Sequence, residues 1–201
     1  MQKEIQNKKI QNKSGFSLVE VIISIFLITF GIIASVELLT KGLKESMDSR
    51  DQLIAVGLAQ EGVELVRNVR DNNWVQTTGD SFTDFPAANE EICRPGFTSS
   101  VNSMNCGTPA SGTGDDVYRY SSGFYGVSNS LAGSTRTKFQ RRIIIAGGGG
   151  ASSERQIYSV VTWGGNITSF STVASLNNCN VGRKCVYTQT TLSNWGEEAI
   201  N

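Results

Sequence analysis

The most apolar part of the chain runs from Phe16 to Val36, where 21 residues include one charged side chain, Glu20. As an α-helix this stretch would be roughly 32 Å long, enough to cross the hydrocarbon core of a bilayer. Residues 1–15 precede it with four lysines and one glutamate, a surplus of +3. Because basic flanking residues stay in the cytoplasm, the pattern predicts one membrane-spanning helix with the rest of the chain facing outward.

A helical pattern continues beyond the apolar stretch, since the first proline is Pro86. It predicts one helix from Phe16 to about Asn72, which ends at Asp71–Asn73 and leaves Trp74 packed just beyond its end. Large apolar residues recur in its second half at three- and four-residue intervals with one gap, and we interpret this stripe as the face that packs on a sheet. The stripe consists of Leu53, Val56, Val63, Val66 and Val69.

The remaining chain has the pattern of β-strands and turns. Strand signals predict strands in Lys138–Gly147 and in Arg155–Ser175, the second with alternation over residues 157–163 and folded at a turn over Gly164–Asn166. The tail Tyr187–Gly196 is interpreted as a further strand or a cover for the sheet edge. Residues 75–135, rich in small polar residues, predict a long connection with short strands. We therefore expect an α+β fold with a long N-terminal helix and an antiparallel meander of three or four strands. Half of the helix would be transmembrane, and half would pack on the globular remainder of the chain, the head.

Composition removes several functional classes. The chain contains no histidine, which excludes His-based catalytic triads, histidine metal ligands and imidazole acid–base catalysis. Glu61 and Glu64 lie close together along the helix, but solvated helix charge is favoured over a catalytic carboxylate pair. The formal net charge is zero, so the chain lacks a surplus to neutralise nucleic-acid phosphates. We expect neither an enzyme nor a nucleic-acid-binding protein.

Four cysteines, Cys93, Cys106, Cys179 and Cys185, lie beyond the apolar stretch. They allow three pairings, between which sequence alone does not decide. We favour Cys93–Cys106 and Cys179–Cys185, because each pairing closes a short loop rich in glycine or asparagine. A zinc site is the alternative, although neither a C-x-x-C spacing nor a histidine supports it. Disulfides require that this part of the chain lies outside the cytoplasm, as the membrane pattern predicts.

Glu20 is an unusual residue for a membrane-spanning helix. A carboxylate costs about 2.5 kcal/mol or more at the centre of such a helix and less near its end, so it is normally paired. A signal peptide cut weakly at Ala34 and Ser35, or an uncut signal anchor, leaves it unexplained. A cut between Gly15 and Phe16 would remove the lysines and create an α-amino group at the positive end of the helix. The amine of a neighbouring copy would then neutralise Glu20 in a bundle of such helices.

The segment KSGFSLVEVIISI, from Lys13 to Ile25, resembles the class III signal of type IV pilins and of type II secretion pseudopilins. The resemblance extends over residues 8–40 and combines a basic leader, a glycine, an aromatic residue, a serine, a glutamate and a long apolar run. It implies that a prepilin peptidase cuts between Gly15 and Phe16, that Phe16 is N-methylated and that Glu20 serves assembly. Many pilins have a proline shortly after the membrane segment, and this chain does not.

The resemblance implies four parts: a cleaved leader at 1–15, a transmembrane and assembly helix at 16–39, a helix packed on the head at 40–74, and an antiparallel β head at 75–201. It implies a structural subunit, major or minor, of a type IV pilus-like filament. Such a subunit is held in the inner membrane with its leader in the cytoplasm and is then displayed on the cell surface. Its expected partners are other pilin subunits, a prepilin peptidase, and the platform protein and ATPase of the assembly machinery, without cofactor, metal or nucleic acid.

Three alternatives stay open on the sequence. A type II pseudopilin has the same signal and often binds calcium, but the acidic couple Asp115–Asp116 falls short of the about six to eight oxygens that calcium prefers. A membrane-anchored extracellular binding protein or enzyme that never polymerises would not be cleaved between Gly15 and Phe16. A competence-type DNA-binding pilin would need a basic patch, and we interpret the candidate residues instead as charges that guard an exposed strand edge. These residues are Arg136, Lys138, Arg141 and Arg142.

Overall fold

The computed structural model of the protein describes residues 15–76, 82, 85–86, 90–95, 104–107, 114–127, 133–147 and 154–194. The predicted leader, apart from Gly15, lies outside these residues. The chain divides into two compact units, Met1–Met47 and Asp48–Asn201. In chain order the described elements are α1 (Leu18–Gln76), β1 (Glu90–Pro95), β2 (Met104–Cys106), β3 (Asp116–Arg119), β4 (Tyr125–Gly126), β5 (Thr135–Ala146), β6 (Glu154–Trp163) and β7 (Cys185–Ser193). Three short 3₁₀ helices, Ile167–Ser169, Ala174–Asn178 and Val181–Arg183, separate β6 from β7.

The long helix predicted from the sequence is present, but its predicted end was wrong. α1 continues to Gln76, and Trp74 lies within the helix instead of beyond it. Side chains near the expected stop bond to their helical neighbours: Asn72 Nδ2 donates to Asn68 Oδ1 at 2.8 Å, and Arg70 pairs with Asp71. Because these groups are satisfied along the helix, they do not compete with its backbone hydrogen bonds and do not end it.

β5 is the central strand of the antiparallel sheet. It pairs along one side with β6, and β6 pairs in turn with β7. The other side of β5 is shared, because β3 pairs with residues 135–140 and β1 with residues 143–146. β2 extends the sheet beyond β1, and β4 extends it beyond β3. The α+β class and the antiparallel meander of three strands are therefore confirmed.

The strand predicted after the turn at Gly164–Asn166 was wrong, since the chain forms 3₁₀ helices there. The side chain of Asn166 accepts hydrogen bonds from the backbone N–H of Thr168 at 3.0 Å and from its hydroxyl at 2.7 Å. Ser175 and Thr172 bond to each other's backbone in the same way. Such short-range bonds from Asn, Ser and Thr offer the backbone an alternative to a ladder, which the alternation of apolar residues did not reveal.

The helix packs on the sheet through small residues, which corrects the predicted stripe. Leu53, expected at the interface, is 74% exposed, whereas Ala55 and Ala59 are fully buried. They pack with Leu58 against residues of β3, β5 and β6. The prediction was based on large apolar side chains, whereas a helix that lies close to a sheet has room only for small ones. The second half of the stripe was correct, as Val63, Val66 and Val69 are buried.

A second, smaller core covers the opposite face of the sheet. Ile144 of β5 and Val160 of β6 pack there against Phe170 and Leu176 from the 3₁₀ segment. The part of the chain with the three 3₁₀ helices therefore covers the face of the sheet opposite to α1. Apolar residues of β5 and β6 therefore lie on both faces of the sheet, which matches the uninterrupted apolar run of residues 143–146 in β5.

Candidate functional site

The amino-terminal end of α1 carries the residues predicted from the sequence to be functional. The backbone carbonyl of Ser17 accepts hydrogen bonds from Glu20 N at 3.0 Å and Val21 N at 3.2 Å, which makes Ser17 the residue that precedes the helix. Ser17 and Glu20 have the S-x-x-E spacing of a helix start. Gly15 and Phe16 lie ahead of the helix, and Phe16 is 82% exposed. The peptide bond between Gly15 and Phe16 is thus outside the hydrogen-bonded helix.

Glu20 lies in the first turn of α1, and its side chain is exposed. The first turn of a helix has unpaired N–H groups and a partial positive charge, which favour a carboxylate. Within the part of the chain that the structure describes, however, Glu20 forms no ion pair. A cation that neutralises it has to come from outside these residues.

The segment that follows Glu20 is apolar on all sides. Its most apolar 18-residue window has a mean hydropathy of 2.5, and none of that window is buried within the protein. α1 is therefore long and apolar enough to cross a membrane. A helix that is apolar all round requires a nonaqueous environment, either lipid or other helices.

The hydroxyl groups of this segment are satisfied within the helix. Ser24 donates to the carbonyl of Glu20, Thr29 to Phe26, Ser35 to Gly31 and Thr40 to Val36, at distances between 2.7 and 2.9 Å. A buried hydroxyl without a partner would cost free energy in lipid. The helix thus provides hydrogen-bond acceptors for these hydroxyl groups, whereas the described residues provide no cation for Glu20.

The head contains a buried ionic cluster that the sequence did not reveal. Asp115 directly precedes β3 and lies beside β5, between the residues of β5 that pair with β3 and those that pair with β1. Its carboxylate contacts Arg142 Nη2 at 2.5 Å and Arg94 Nη2 at 3.2 Å. Asp116 accepts from Arg136 Nη2 at 2.9 Å and from Gln140 Nε2 at 3.0 Å. Both carboxylates are buried. The acidic couple considered as a possible calcium ligand is therefore engaged by arginines.

The interpretation of the basic residues on β5 as guards of an exposed strand edge was wrong, because β5 is the central strand. Each of them contacts a carboxylate: Arg136 contacts Asp116, Lys138 contacts Asp51, Arg141 contacts Glu61, and Arg142 contacts Asp115. The hydrogen bond to Asp116 raises the pKa of Arg136 above its usual value. A basic run in which each residue contacts its own carboxylate is a structural feature of the sheet.

Glu61 also differs from its expected role as a solvated charge. Its Oε1 atom lies 3.5 Å from Arg141 Nη1, and the same guanidinium donates to the carbonyl of Leu58 at 3.3 Å. Arg141 is buried beneath α1, and the loss of solvation lowers its pKa below the usual value. Glu64, in contrast, pairs with Arg67, three residues further along, on the exposed side of the helix.

The structure joins Cys93 to Cys106 and Cys179 to Cys185, the two pairings favoured from loop length. Cys93 and Cys106 lie directly opposite each other on β1 and β2. The second bridge closes the loop that carries the last 3₁₀ helix, and Cys185 belongs to the second core. With all four cysteines in disulfides, no thiolate is left for the alternative zinc site.

Comparison with known proteins adds one finding for the functional end of the chain. Residues 10–36 match the family model of the prokaryotic N-terminal methylation motif. No curated protein and no solved structure matches the chain. A signal of this class implies processing by a prepilin peptidase, contact with pilin-assembly machinery in general and anchoring in a membrane. The chain thus carries the class III prepilin signal of type IV pilins and pseudopilins, together with a fold of pilin-like α+β architecture.

Proposed function

We propose that the protein is a structural subunit of a type IV pilus-like filament, cut between Gly15 and Phe16 and N-methylated at Phe16. The observation that carries this proposal is the environment of Glu20. This carboxylate begins a helix that is apolar on all sides, and it has no cationic partner within the described part of the chain. The cut supplies the missing cation, because it creates an α-amino group four residues before Glu20.

In the proposed filament, Glu20 pairs with the Phe16 amine of a neighbouring subunit. An uncompensated carboxylate costs free energy in the membrane, about 2.5 kcal/mol or more at the centre of a helix and less near its end, so pairing favours the assembled state over the free subunit. The two groups lie at different places on each subunit, and a contact of this heterologous kind repeats to give an open helical assembly. The exposed apolar side chains of the helix become buried among those of neighbours. The head performs no chemistry and needs no cofactor.

We further propose a pilus subunit in preference to a secretion pseudopilin. The buried carboxylates of Asp115 and Asp116 contact Arg94, Arg142 and Arg136. Guanidinium groups thus occupy the place at this acidic couple where a divalent cation would otherwise provide positive charge. The two disulfides fit a head that lies outside the cytoplasm.

Intact-mass and N-terminal analysis of the membrane-extracted protein, with and without a co-expressed prepilin peptidase, tests the processing step. We expect a mature chain that begins at methylated Phe16 only when the peptidase is present. A chain that retains Met1 in both samples, or one cut near Ser35, would remove the pilin proposal and favour an anchored protein that does not polymerise.

The assembly step is tested by Glu20→Gln, with Glu37→Gln as the matched control. Glu37 lies in the same helix but pairs with Lys41 at 2.8 Å on the helix surface. We expect Glu20→Gln to lower the recovery of filaments by more than about tenfold, the factor that corresponds to about 1.4 kcal/mol. Cleavage at Gly15 should be unchanged in both variants, and Glu37→Gln should assemble normally. Equal recovery of filaments from the two variants would exclude the proposed role of Glu20.

A further inference from the structure

β7 is a long, regular strand at the edge of the sheet. It pairs with β6 over nine consecutive residues without a shift in register, from Cys185 opposite Thr162 to Ser193 opposite Glu154. Among the described residues, no strand pairs with its other side. Every second N–H and C=O group of such an edge points away from the sheet, available to a further strand.

The features that usually protect an edge from pairing are absent from β7. Its sequence, CVYTQTTLS, contains no charged residue and no proline, and its register with β6 contains no bulge. Its residues are largely β-branched or aromatic, which suits extended backbone. The described edge strands β2 and β4, in comparison, have only three and two residues. β7 is thus the edge that is suited to accept a partner strand.

We propose that β7 pairs antiparallel with β7 of a second copy of this chain, in a register centred on Gln189. That register places Val186 opposite Leu192 of the second copy and Tyr187 opposite Thr191. Thr188 then lies opposite Thr190, so the centre of the contact contains hydroxyl groups on both strands. Apolar pairs, aromatic pairs with β-branched residues and Thr–Thr pairs are the cross-strand combinations that stabilise antiparallel sheets.

The absence of charge favours a second copy over a different partner. Self-pairing brings a strand against its own sequence, so any charged residue near the centre would face a like charge. β7 contains none, and its exposed side chains Tyr187, Gln189 and Thr191 are neutral. A partner with a charged strand would gain no ion pair from this edge.

The contact differs in symmetry from the one that builds a filament. Pairing of identical strands has a two-fold axis and closes after two copies, so it cannot lengthen a helical assembly. It would instead join the heads of two subunits that belong to separate filaments or that wait in the membrane. The inference goes beyond the proposed function and does not require cleavage at Gly15.

Charge changes at the centre of the register provide the test. In the full chain in detergent micelles, Gln189→Lys or Gln189→Glu alone should weaken dimerisation at least tenfold in Kd, because like charges face each other at the axis. An equimolar mixture of the two variants should restore dimers, since each pair then contains one lysine and one glutamate. The control variants Ser169→Lys and Ser169→Glu place the same charges at an exposed residue away from β7 and should dimerise like the unchanged protein. Sedimentation equilibrium gives the dissociation constants.

Cross-linking gives a second readout, which reports the register of the contact. Gln189→Cys should form a disulfide-linked dimer under mild oxidation, whereas Ser169→Cys should not, because only residue 189 faces its own copy. A monomeric unchanged protein, or dimers that persist equally in Gln189→Lys, would overturn the inference. Association through the apolar helices would produce the second of these outcomes. A mixture of the charged variants that stays monomeric would likewise exclude pairing at this axis. Since none of these measurements involves filaments, a failure here leaves the result of the cleavage test unaffected.

Discussion

A methyl group added at Gly62 tests how closely α1 approaches the sheet. Its Cβ atom would clash with Ser159 Oγ and would lie 3.2 Å from both Ser159 Cβ and Arg141 Cδ. The same methyl group at Gly57, in the same helix, would meet no atom within 4 Å. Gly62→Ala and Gly57→Ala therefore add the same helix propensity and differ in packing.

The expected difference follows from two opposing effects. Alanine stabilises a helix interior by about 0.8–1 kcal/mol relative to glycine, so Gly57→Ala should raise the free energy of unfolding by that amount. Gly62→Ala has the same gain, but overpacking a filled interior costs about 1–3 kcal/mol. The Gly62 variant should thus be less stable than the Gly57 variant by about 1–3 kcal/mol. Ser159→Ala removes the nearest atom at little cost of its own, because Ser159 Oγ has no hydrogen-bond partner among the described residues.

Urea unfolding of the full chain in micelles, followed by tryptophan fluorescence, gives the free energies of these variants. In the Ser159→Ala background, the loss caused by Gly62→Ala should shrink by about 1–2 kcal/mol, the coupling between residues in contact. Equal stabilisation by Gly57→Ala and Gly62→Ala would refute the close approach of helix and sheet. A loss at Gly62 that Ser159→Ala leaves unchanged would assign the conflict to a different neighbour.

Five further variants test the ionic and covalent links of the head in the same unfolding assay. Asp115→Asn leaves two arginines without their buried countercharge and should cost about 3–5 kcal/mol, whereas Asp116→Asn should cost clearly less, because its arginine is 62% exposed. Glu61→Gln should cost about 1–2 kcal/mol, reduced by the 36% exposure of Glu61, whereas Glu64→Gln should stay within about 0.5 kcal/mol. Replacing both cysteines of Cys93–Cys106 by serine should cost about 3 kcal/mol through the entropy of its loop. Equal losses from the paired variants, or no loss from the cysteine variant, would contradict these assignments.

The amino-terminal end of the chain was predictable from sequence because its signal is local. An apolar run whose single charge is a carboxylate at a fixed distance from Gly15 and Phe16 needs no tertiary information to be identified. β5 and β6 were likewise predicted from strand signals within Lys138–Gly147 and from alternation over residues 157–163. These are patterns in which neighbouring residues determine the outcome.

The errors arose where contacts distant in sequence decide the structure. Arg141 and Arg142 follow each other in β5 and point to opposite faces, where Glu61 and Asp115 lie. Neither acid is near them in the chain, so the run looked like exposed charge. The predicted burial of Leu53 was wrong for a similar reason, since α1 lies so close to the sheet that small residues fit at the interface and large ones do not.

A comparison of two carboxylates, Asp115 and Glu20, supports the proposed assembly. Asp115, buried in the head, lies between the guanidinium groups of Arg94 and Arg142, so its charge is neutralised within the fold. Glu20 is in a segment where hydroxyl groups are satisfied by the backbone, yet no cation accompanies it within the described residues. Among the described residues, the fold provides two arginines for Asp115 and no cation for Glu20. We therefore propose that the partner of Glu20 belongs to a second molecule, and the amine created at Phe16 is the cation that processing would place at the right end of the helix.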